Sequence, residues 1–169
     1  MDRRLEQLGL CQHHLDACSL PVEEEAAILV DAGLDIFDRP IQMTPGTAQN
    51  WHRMQQHAAS DFVELQIVSA FRSIDYQCGL FQRKLERGIA LEDILKVNAI
   101  PGYSQHHTGR ALDLSTPDFT PLEESFEDSM AFTWLLANAA SYGFEMSYPR
   151  DNQLGIDYEP WHWAYQGQD

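Results

Sequence analysis

The sequence predicts an α+β domain with a small, mainly antiparallel sheet flanked by helices. The chain has 169 residues, a length that suits one domain with its own core. Short β-prone segments are few and separated, and helical patterns stand before and between them. An aromatic content of 11% argues against disorder. We therefore predict a single domain over residues 1–169, in which residues 1–40 form a helical N-terminal extension of unknown role.

The helices are predicted from apolar spacing and from capping residues. Trp51, Met54 and Ala58 recur at the i, i+3, i+7 spacing of one helical face, directly after Pro45. Ser73 is a candidate N-cap for the next helix, because its hydroxyl can accept a hydrogen bond from the first turn. The predicted helices lie at about residues 23–30, from Pro45 onward, from Ser73 to Gly88, at 91–97 and at 132–140, with a turn at 38–40.

Four short segments are predicted to be strands, at residues 65–70, 111–115, 143–147 and 161–165. Side chains alternate along a strand, so Leu112 and Leu114 should face one side of the sheet and Asp113 the other. A carboxylate on such an apolar strand is costly unless it is paired or bound to a metal. The residues between 118 and 128 are predicted to form an acidic loop.

The charge of the chain excludes some classes of partner. Its 11 basic and 26 acidic side chains give a formal net charge of −15. Nucleic-acid-binding proteins need clustered Lys and Arg, so no nucleic-acid partner is expected, and an anionic membrane surface is disfavoured for the same reason.

The first residues lack the apolar stretch of a signal peptide. The expected compartment is the cytoplasm as the chain stands, or the periplasm where a leader has been removed.

Two motifs bring together the residue types of a zinc hydrolase. The segment from Ser104 to Asp113 contains His106, and a second motif near the C-terminus contains Glu159 and His162. Catalytic zinc is typically held by three protein ligands and keeps a position open for water. His106, Asp113 and His162 are therefore the candidate ligands of one Zn²⁺ per chain, and Glu159 is the candidate general base.

Structural roles remain open as alternatives at this point. His106 could be an ordinary loop histidine, Asp113 a salt-bridge partner, and His162 a core histidine between two tryptophans. His107 is expected to point away from the site. The histidines at positions 13, 14, 52 and 57 are interpreted as non-ligands, since we find no carboxylate at ligand spacing from them.

These motifs carry a family resemblance. The chain resembles the VanY-type D-alanyl-D-alanine carboxypeptidases, within a wider group of zinc peptidases that includes D-Ala-D-Ala dipeptidases and the hedgehog-like fold. The resemblance covers about residues 47–165. The matching pieces are Ser69-Ala70-Phe71-Arg72-Ser73 with Gln77, the S-x-H-x-x-G-x-A-x-D stretch from Ser104 to Asp113, the run from Trp134 to Phe144, and Glu159-Pro160-Trp161-His162-Trp163.

The resemblance implies a role for each site residue. It implies that His106, Asp113 and His162 bind zinc and that Glu159 activates water and then protonates the leaving amine. It implies that Arg72 stabilises the developing oxyanion or holds substrate, roles that suit a guanidinium. It also implies that Ser104 and Gln77 contact the substrate. A surface ion pair between Arg72 and Asp75 remains the alternative for that arginine.

The function expected from the resemblance is zinc-dependent hydrolysis of cell-wall-type peptides containing D-amino acids, with release of a C-terminal D-alanine. Dipeptidase, L,D-carboxypeptidase or endopeptidase activity at the same site stays open. A zinc-bearing binding domain without turnover is the alternative of another class. Glu159 and Arg72 favour the enzyme, because a binding domain needs neither a base nor an oxyanion partner.

Overall fold

The structure is a computed structural model that describes residues 3–168, so the ends of the predicted domain at 1, 2 and 169 lie outside the described residues. The helices are α1 (Arg3–Gln7), α2 (Gln12–Ala17), α3 (Pro45–Ser60), α4 (Ile74–Glu86), α5 (Leu91–Val97) and α6 (Met130–Asn138). The strands are β1 (Val30–Leu34), β2 (Pro40–Met43), β3 (Gln66–Ser69), β4 (Ala111–Ser115), β5 (Phe144–Met146) and β6 (His162–Tyr165). No helix among the described residues is long and apolar enough to cross a membrane.

Two antiparallel sheets confirm the predicted α+β class. Strands β1 and β2 form a hairpin, and the other four form a sheet in the order β3-β4-β6-β5. Every pairing is antiparallel, and β4 lies between β3 and β6. In the register of β4 with β6, Asp113 faces His162 and Leu112 faces Trp163. This register places the two predicted metal ligands side by side on neighbouring strands.

The main core lies between the four-stranded sheet and helices α3 and α6. Trp51, Met54 and Ala58 of α3 are buried, as their spacing predicts. Leu112 and Leu114 are fully buried in the same core. Because side chains alternate along β4, the side chain of Asp113 projects from the opposite face of the sheet, where the predicted site lies.

The helix predicted at residues 23–30 is wrong. This segment has no helical structure, and Val30 already begins β1. The backbone N–H groups of Glu23 and Ala26 instead donate to the carbonyls of Gly102 and His107, at 2.8 and 2.9 Å. Hydrogen bonds to a distant loop thus replace the local hydrogen bonds of a helix. The helical preference of this segment is weak, and the tertiary contacts outweigh it. In the N-terminal extension, α1 and α2 are helical, whereas residues 30–34 form a strand.

Helix α1 packs against the helices that flank the site. Leu5, Leu8 and Leu10 form a second apolar cluster with Phe81 of α4 and Ile94 of α5. The Arg4 side chain also forms a salt bridge with Asp75 at the start of α4. Burying this apolar surface ties the N-terminal segment to the rest of the structure.

Candidate active site

The three candidate ligands come from two strands and one tight turn. Asp113 and His162 are opposite each other on β4 and β6. His106 lies in a 3₁₀ turn, Gln105–Thr108, which ends at Gly109 in the left-handed conformation with φ of 67°. A Cβ atom at Gly109 would also come within 2.8 Å of a neighbouring side chain. Glycine is therefore required where the chain leaves His106 and turns into β4.

The structure brings the three predicted ligands together in the interior. Nε2 of His106 is 3.2 Å from Oδ2 of Asp113, and Nδ1 of His162 is 3.1 Å from Oδ1 of the same carboxylate. One donor atom from each residue lies within 4.8 Å of the other two. All three residues are at most 4% exposed. Buried donors that converge in this way are the arrangement of a metal site.

The outward nitrogens of both imidazoles are held by protein oxygens. Nδ1 of His106 lies 2.6 Å from the carbonyl oxygen of Ala70, and Nε2 of His162 lies 3.0 Å from Oε1 of Gln105. Because an imidazole donates from only one nitrogen when neutral, these bonds leave a lone pair on Nε2 of His106 and on Nδ1 of His162. Such outer hydrogen bonds are the usual supports of metal-binding histidines.

One atom of this group is buried without a hydrogen-bond partner. Nε2 of His106 is shielded from solvent and makes no hydrogen bond, although the Asp113 carboxylate is near. An unsatisfied buried acceptor costs free energy, and a cation between the three donors would satisfy it. Two imidazoles and one carboxylate form a donor set that zinc commonly takes. The residues present therefore fit a zinc ion.

The electrostatics favour the protonation states that bind metal. Burial, and then the positive charge of Arg72, lower the pKa of His106 to about 4. Burial opposes ionisation of Asp113, but the neighbouring imidazoles outweigh it and hold the pKa of that carboxyl well below its usual range. A neutral imidazole and an ionised carboxylate are the forms that ligate a metal.

Glu159 lies beside the metal donors without being one of them. It is 7% exposed, and its Oε2 is 3.6 Å from Nδ1 of His162. The backbone N–H of Glu159 donates to the carbonyl of Tyr148 at 3.0 Å, which fixes the turn before β6. Burial, and then the negative charge of Asp113, raise the pKa of Glu159 to about 9. A divalent cation at the adjacent donors would oppose this shift.

Arg72 points towards the same carboxylate. Its backbone N–H donates to the carbonyl of His106 at 3.1 Å, and its terminal nitrogen is 4.0 Å from Oδ2 of Asp113. Its Nε is buried without a hydrogen-bond partner. The alternative of an ion pair between Arg72 and Asp75 does not hold, because the Arg72 guanidinium approaches Asp113 and Asp75 binds Arg4. The guanidinium is thus directed into the site.

The two predicted substrate contacts differ in their position. The Ser104 side chain lines the space beside the metal donors and accepts a hydrogen bond from the backbone of His106 at 3.3 Å. Gln77 lies behind that wall, where its amide donates to the carbonyl of Ala99 at 2.9 Å. Its Oε1 is buried without a hydrogen-bond partner. Ser104 is in the site, whereas Gln77 supports a wall of it.

Two connected cavities lie next to the donors, and they share Arg72, Val97, Asn98 and Glu159. The inner cavity, of about 20 Å³, is also lined by Ala99, Ser104, His106, Tyr148, Ile156 and His162. The outer cavity, of about 230 Å³, is also lined by Lys84, Asp113, Leu122 and Trp161. Together they form a cleft that leads from solvent to the metal donors.

Sequence reasoning missed three residues that line or support this site. The ring of Tyr148 packs against that of His162 at a tilt of 50°, with centroids 4.7 Å apart, and burial raises the pKa of its hydroxyl. Gln105 orients His162 through its side-chain oxygen. Its position next to His106 in the motif could have indicated that it lies near the site. Lys84 lines the outer cavity from α4. No pattern near Tyr148 or Lys84 indicates such a place.

The predicted non-ligands need one correction. His107 does point away, since Nδ1 meets the carbonyl of Arg72 at 2.6 Å and the backbone N–H of Gly102 donates to Nε2 at 3.1 Å. For His57, the expectation that no carboxylate lies at ligand spacing was wrong. Asp61 lies one helical turn further along, and its carboxylate is 3.5 Å from Nε2 of His57.

Curated relatives share this sequence over most of its length. The bifunctional D-Ala-D-Ala dipeptidase and D-Ala-D-Ala carboxypeptidase VanXYC of Enterococcus gallinarum is 31% identical over 136 residues, which are 77% of this chain and 70% of that protein. The putative carboxypeptidase YodJ of Bacillus subtilis is 34% identical over 160 residues. That alignment covers 89% of this chain but 57% of YodJ, so this chain spans only part of that relative.

Solved structures share the fold. The LdcB LD-carboxypeptidase matches with a TM-score of 0.75 and 30% identity, over 87% of this chain and 72% of that one. The D,D-pentapeptidase VanY from a VanB-type resistance cassette, solved as an E175A mutant in complex with Zn(II), matches with a TM-score of 0.63. Its identity is 20%, over 90% of this chain and 82% of that one, so this likeness concerns the fold.

A sequence model of one family matches most of the chain. The family is described as VanY, D-alanyl-D-alanine carboxypeptidase, and the match covers residues 40–168. This range contains the metal donors, Glu159 and Arg72, and it begins where β2 begins. The resemblance seen in the sequence motifs is confirmed, and the chain belongs to the VanY D-alanyl-D-alanine carboxypeptidase family.

Proposed function

We propose that this protein is a zinc-dependent carboxypeptidase that releases D-alanine from the C-terminus of cell-wall-type peptides. In this proposal His106, Asp113 and His162 hold one Zn²⁺. The single observation that carries it is the buried, unsatisfied Nε2 of His106 among three converging donors. Family membership supports the same reading, because two relatives with 30% identity or more are named as carboxypeptidases that act on cell-wall peptides or D-Ala-D-Ala.

Zinc, when bound, polarises a peptide carbonyl and lowers the pKa of a water molecule. The protein supplies the remaining steps. Glu159 accepts a proton from the attacking water and then delivers it to the nitrogen of the leaving D-alanine. Its buried position, with Oε2 3.6 Å from Nδ1 of His162, puts the carboxylate next to the metal donors. A base must be within hydrogen-bond reach of the proton that it takes, and a position beside the metal donors supports this role.

Arg72 stabilises the negative charge that develops on the carbonyl oxygen. Its guanidinium enters the cleft 4.0 Å from Oδ2 of Asp113, with a buried N–H that no protein group accepts. A preorganised donor of this kind lowers the barrier because it is already oriented before charge appears. Ser104 contacts the peptide from the wall of the inner cavity, and Gln77 supports that wall through its hydrogen bond to Ala99.

Other cuts at the same site are the nearest alternative. VanXYC is named as both a dipeptidase and a carboxypeptidase, and LdcB as an LD-carboxypeptidase. These names differ in substrate length and in stereochemistry at the cut, not in the zinc chemistry. A binding domain without turnover is disfavoured, because Glu159 and Arg72 both face the metal donors, and a site used only for binding requires neither.

The test is a hydrolysis assay with the zinc-loaded protein. The substrates are free D-Ala-D-Ala, a stem pentapeptide ending in D-Ala-D-Ala and a stem tetrapeptide ending in one D-Ala. We expect release of D-alanine from the pentapeptide, loss of this activity on chelation, and recovery when zinc is restored. A pentapeptide ending in L-Ala-L-Ala is the matched control. If the fully zinc-loaded protein releases no amino acid from any of these substrates, the proposal is wrong.

A further inference from the structure

Lys84 occupies the cleft without a part in the mechanism above. It lies on α4 and lines the outer cavity together with Arg72, Asp113 and Glu159. The side chain is half-buried. Within residues 3–168, its ammonium makes no hydrogen bond and no salt bridge. The other lysine of the chain, Lys96 on α5, is by contrast exposed and bound to Asp93 at 2.7 Å.

A half-buried ammonium without a partner is unfavourable in the resting protein. Taking charge out of water costs free energy, and neither a hydrogen bond nor an ion pair offsets that cost at Lys84. Arg72 faces the same cavity, as do the carboxylates of Asp113 and Glu159. Burial, followed by repulsion from Arg72 and Arg87, lowers the pKa of Lys84, and attraction to Glu159 opposes this shift. With zinc bound at Asp113, the positive charge of the ion and of the two cationic side chains would exceed that of the two carboxylates, and the outer cavity would attract an anion.

Apart from Asn98, the remaining wall of the outer cavity is apolar. Val97, Leu122 and Trp161 line it, and Val97 and Leu122 are 45% and 46% exposed. Leu122 has a φ of 61°, a left-handed conformation that costs free energy for a branched residue and is typical of functional segments. A cation near apolar side chains fits the two ends of one terminal alanine, its carboxylate and its methyl group.

We propose that Lys84 binds the C-terminal carboxylate of the peptide, with the side chain of the terminal residue against Val97 and Leu122. This inference rests on the proposed peptidase function. Arg72 is directed at the metal donors, 4.0 Å from Asp113, and its charge serves the carbonyl that is cleaved. Lys84 then selects peptides with a free terminus, which makes the protein a carboxypeptidase rather than an endopeptidase.

A role through Glu159 is the competing explanation. The positive charge of Lys84 also acts on that carboxylate in the shared cavity. If Lys84 served only to tune Glu159, its removal would slow every peptide substrate to the same extent. If it binds the terminal carboxylate, only substrates with that carboxylate are affected. A pair of substrates that differ in this group alone separates the two roles.

The experiment compares Lys84→Met with wild type on two peptides, one ending in D-Ala-D-Ala with a free carboxylate and the other ending in the carboxamide. Wild type should prefer the free acid. In Lys84→Met, KM for the acid should rise roughly 10- to 100-fold, the range for a hydrogen bond to a charged group, with kcat nearly unchanged. The constants for the amide should not change. Lys96→Met, which removes the exposed ammonium of the other lysine, should match wild type.

Zinc content and thermal melting accompany the kinetics, and Lys84→Arg provides a second variant that keeps the charge and should keep the preference for the acid. Equal losses on acid and amide in Lys84→Met would overturn the carboxylate role, as would an unchanged KM for the acid. The same holds if Lys84→Arg loses the preference while remaining folded. If wild type cleaves neither peptide, the proposed function fails first and this inference fails with it.

Discussion

Two groups of histidine and carboxylate side chains in this molecule have similar composition and different chemistry. The buried centre consists of His106, Asp113 and His162. The surface cluster consists of His57 and Asp61 on one helical face, with Trp134 and Tyr142 around them. In the surface cluster, Nδ1 of His57 is 2.9 Å from the Tyr142 hydroxyl, and the indole of Trp134 donates to Asp61 at 2.7 Å.

The two groups differ in which atoms are still unsatisfied. In the surface cluster both imidazole nitrogens have protein neighbours, and the side chains of His57 and Asp61 are 43% and 48% exposed to water. In the buried centre the outward nitrogens are bound to protein oxygens, and Nε2 of His106 has no hydrogen-bond partner. Residue type alone therefore does not identify a metal site. Unused lone pairs that converge in a buried space do.

The largest expected effect is on turnover. It tests whether hydrolysis takes place at the buried centre. Glu159→Gln should retain zinc and fold, because Glu159 is not a ligand in this account. Its turnover should fall about 10²–10⁴-fold, since an amide cannot accept the proton of the attacking water. The measurement is kcat on a peptide ending in D-Ala-D-Ala, together with zinc content.

Asp61→Asn is the matched control for that variant, because it neutralises the carboxylate of the surface cluster. It should leave kcat unchanged. Turnover at the wild-type rate in Glu159→Gln would assign the base elsewhere, with the acidic loop at residues 118–128 as the next region to examine.

A somewhat smaller loss is expected for Arg72→Ala. Removing one preorganised oxyanion donor typically costs about 10²–10³-fold in kcat. We expect kcat and kcat/KM to fall together, because the charge that Arg72 stabilises develops only in the transition state. A rise in KM alone would instead mean that Arg72 binds the ground-state substrate. Arg150→Ala, which removes an exposed arginine paired with Glu127, should change neither constant.

The smallest expected effect is on zinc affinity, and it concerns the hydrogen bonds that support the histidines of the two groups. Gln105→Leu removes the oxygen that orients His162, so zinc affinity should weaken about 10- to 100-fold while the ligands remain. Tyr142→Phe removes the corresponding hydroxyl from His57 and should leave zinc affinity unchanged. Competition with a chromophoric chelator measures both. Equal affinity in Gln105→Leu and wild type would mean that this hydrogen bond does not support the site.

Sequence motifs, together with the family resemblance that they carry, were enough to predict the candidate metal donors. The alternation along residues 111–115 predicts Asp113 on the face opposite two buried leucines, and the structure confirms strand β4 with that arrangement. Helical spacing likewise predicts the buried face of α3. These features depend on residues a few positions apart, so sequence reasoning reaches them.

Features that depend on distant segments could not be predicted in this way. The segment at 23–30 forms no helix, because its N–H groups bind a loop about 80 residues away in the chain. Tyr148 reaches the site through a loop, and Lys84 reaches it only because α4 borders the outer cavity. Neither residue stands near a motif. Their roles follow from the cleft that the fold creates, and the cleft is visible only in three dimensions.

The most direct test of the account is the zinc content of three proteins purified in parallel. Wild type should hold one zinc ion per chain, His106→Ala with His162→Ala should hold almost none, and His57→Ala should hold as much as wild type. The change in stability of His57→Ala should stay within about 1 kcal/mol, since its contacts are exposed. Full zinc retention in the double variant, or zinc loss in His57→Ala, would contradict the assignment of the buried centre.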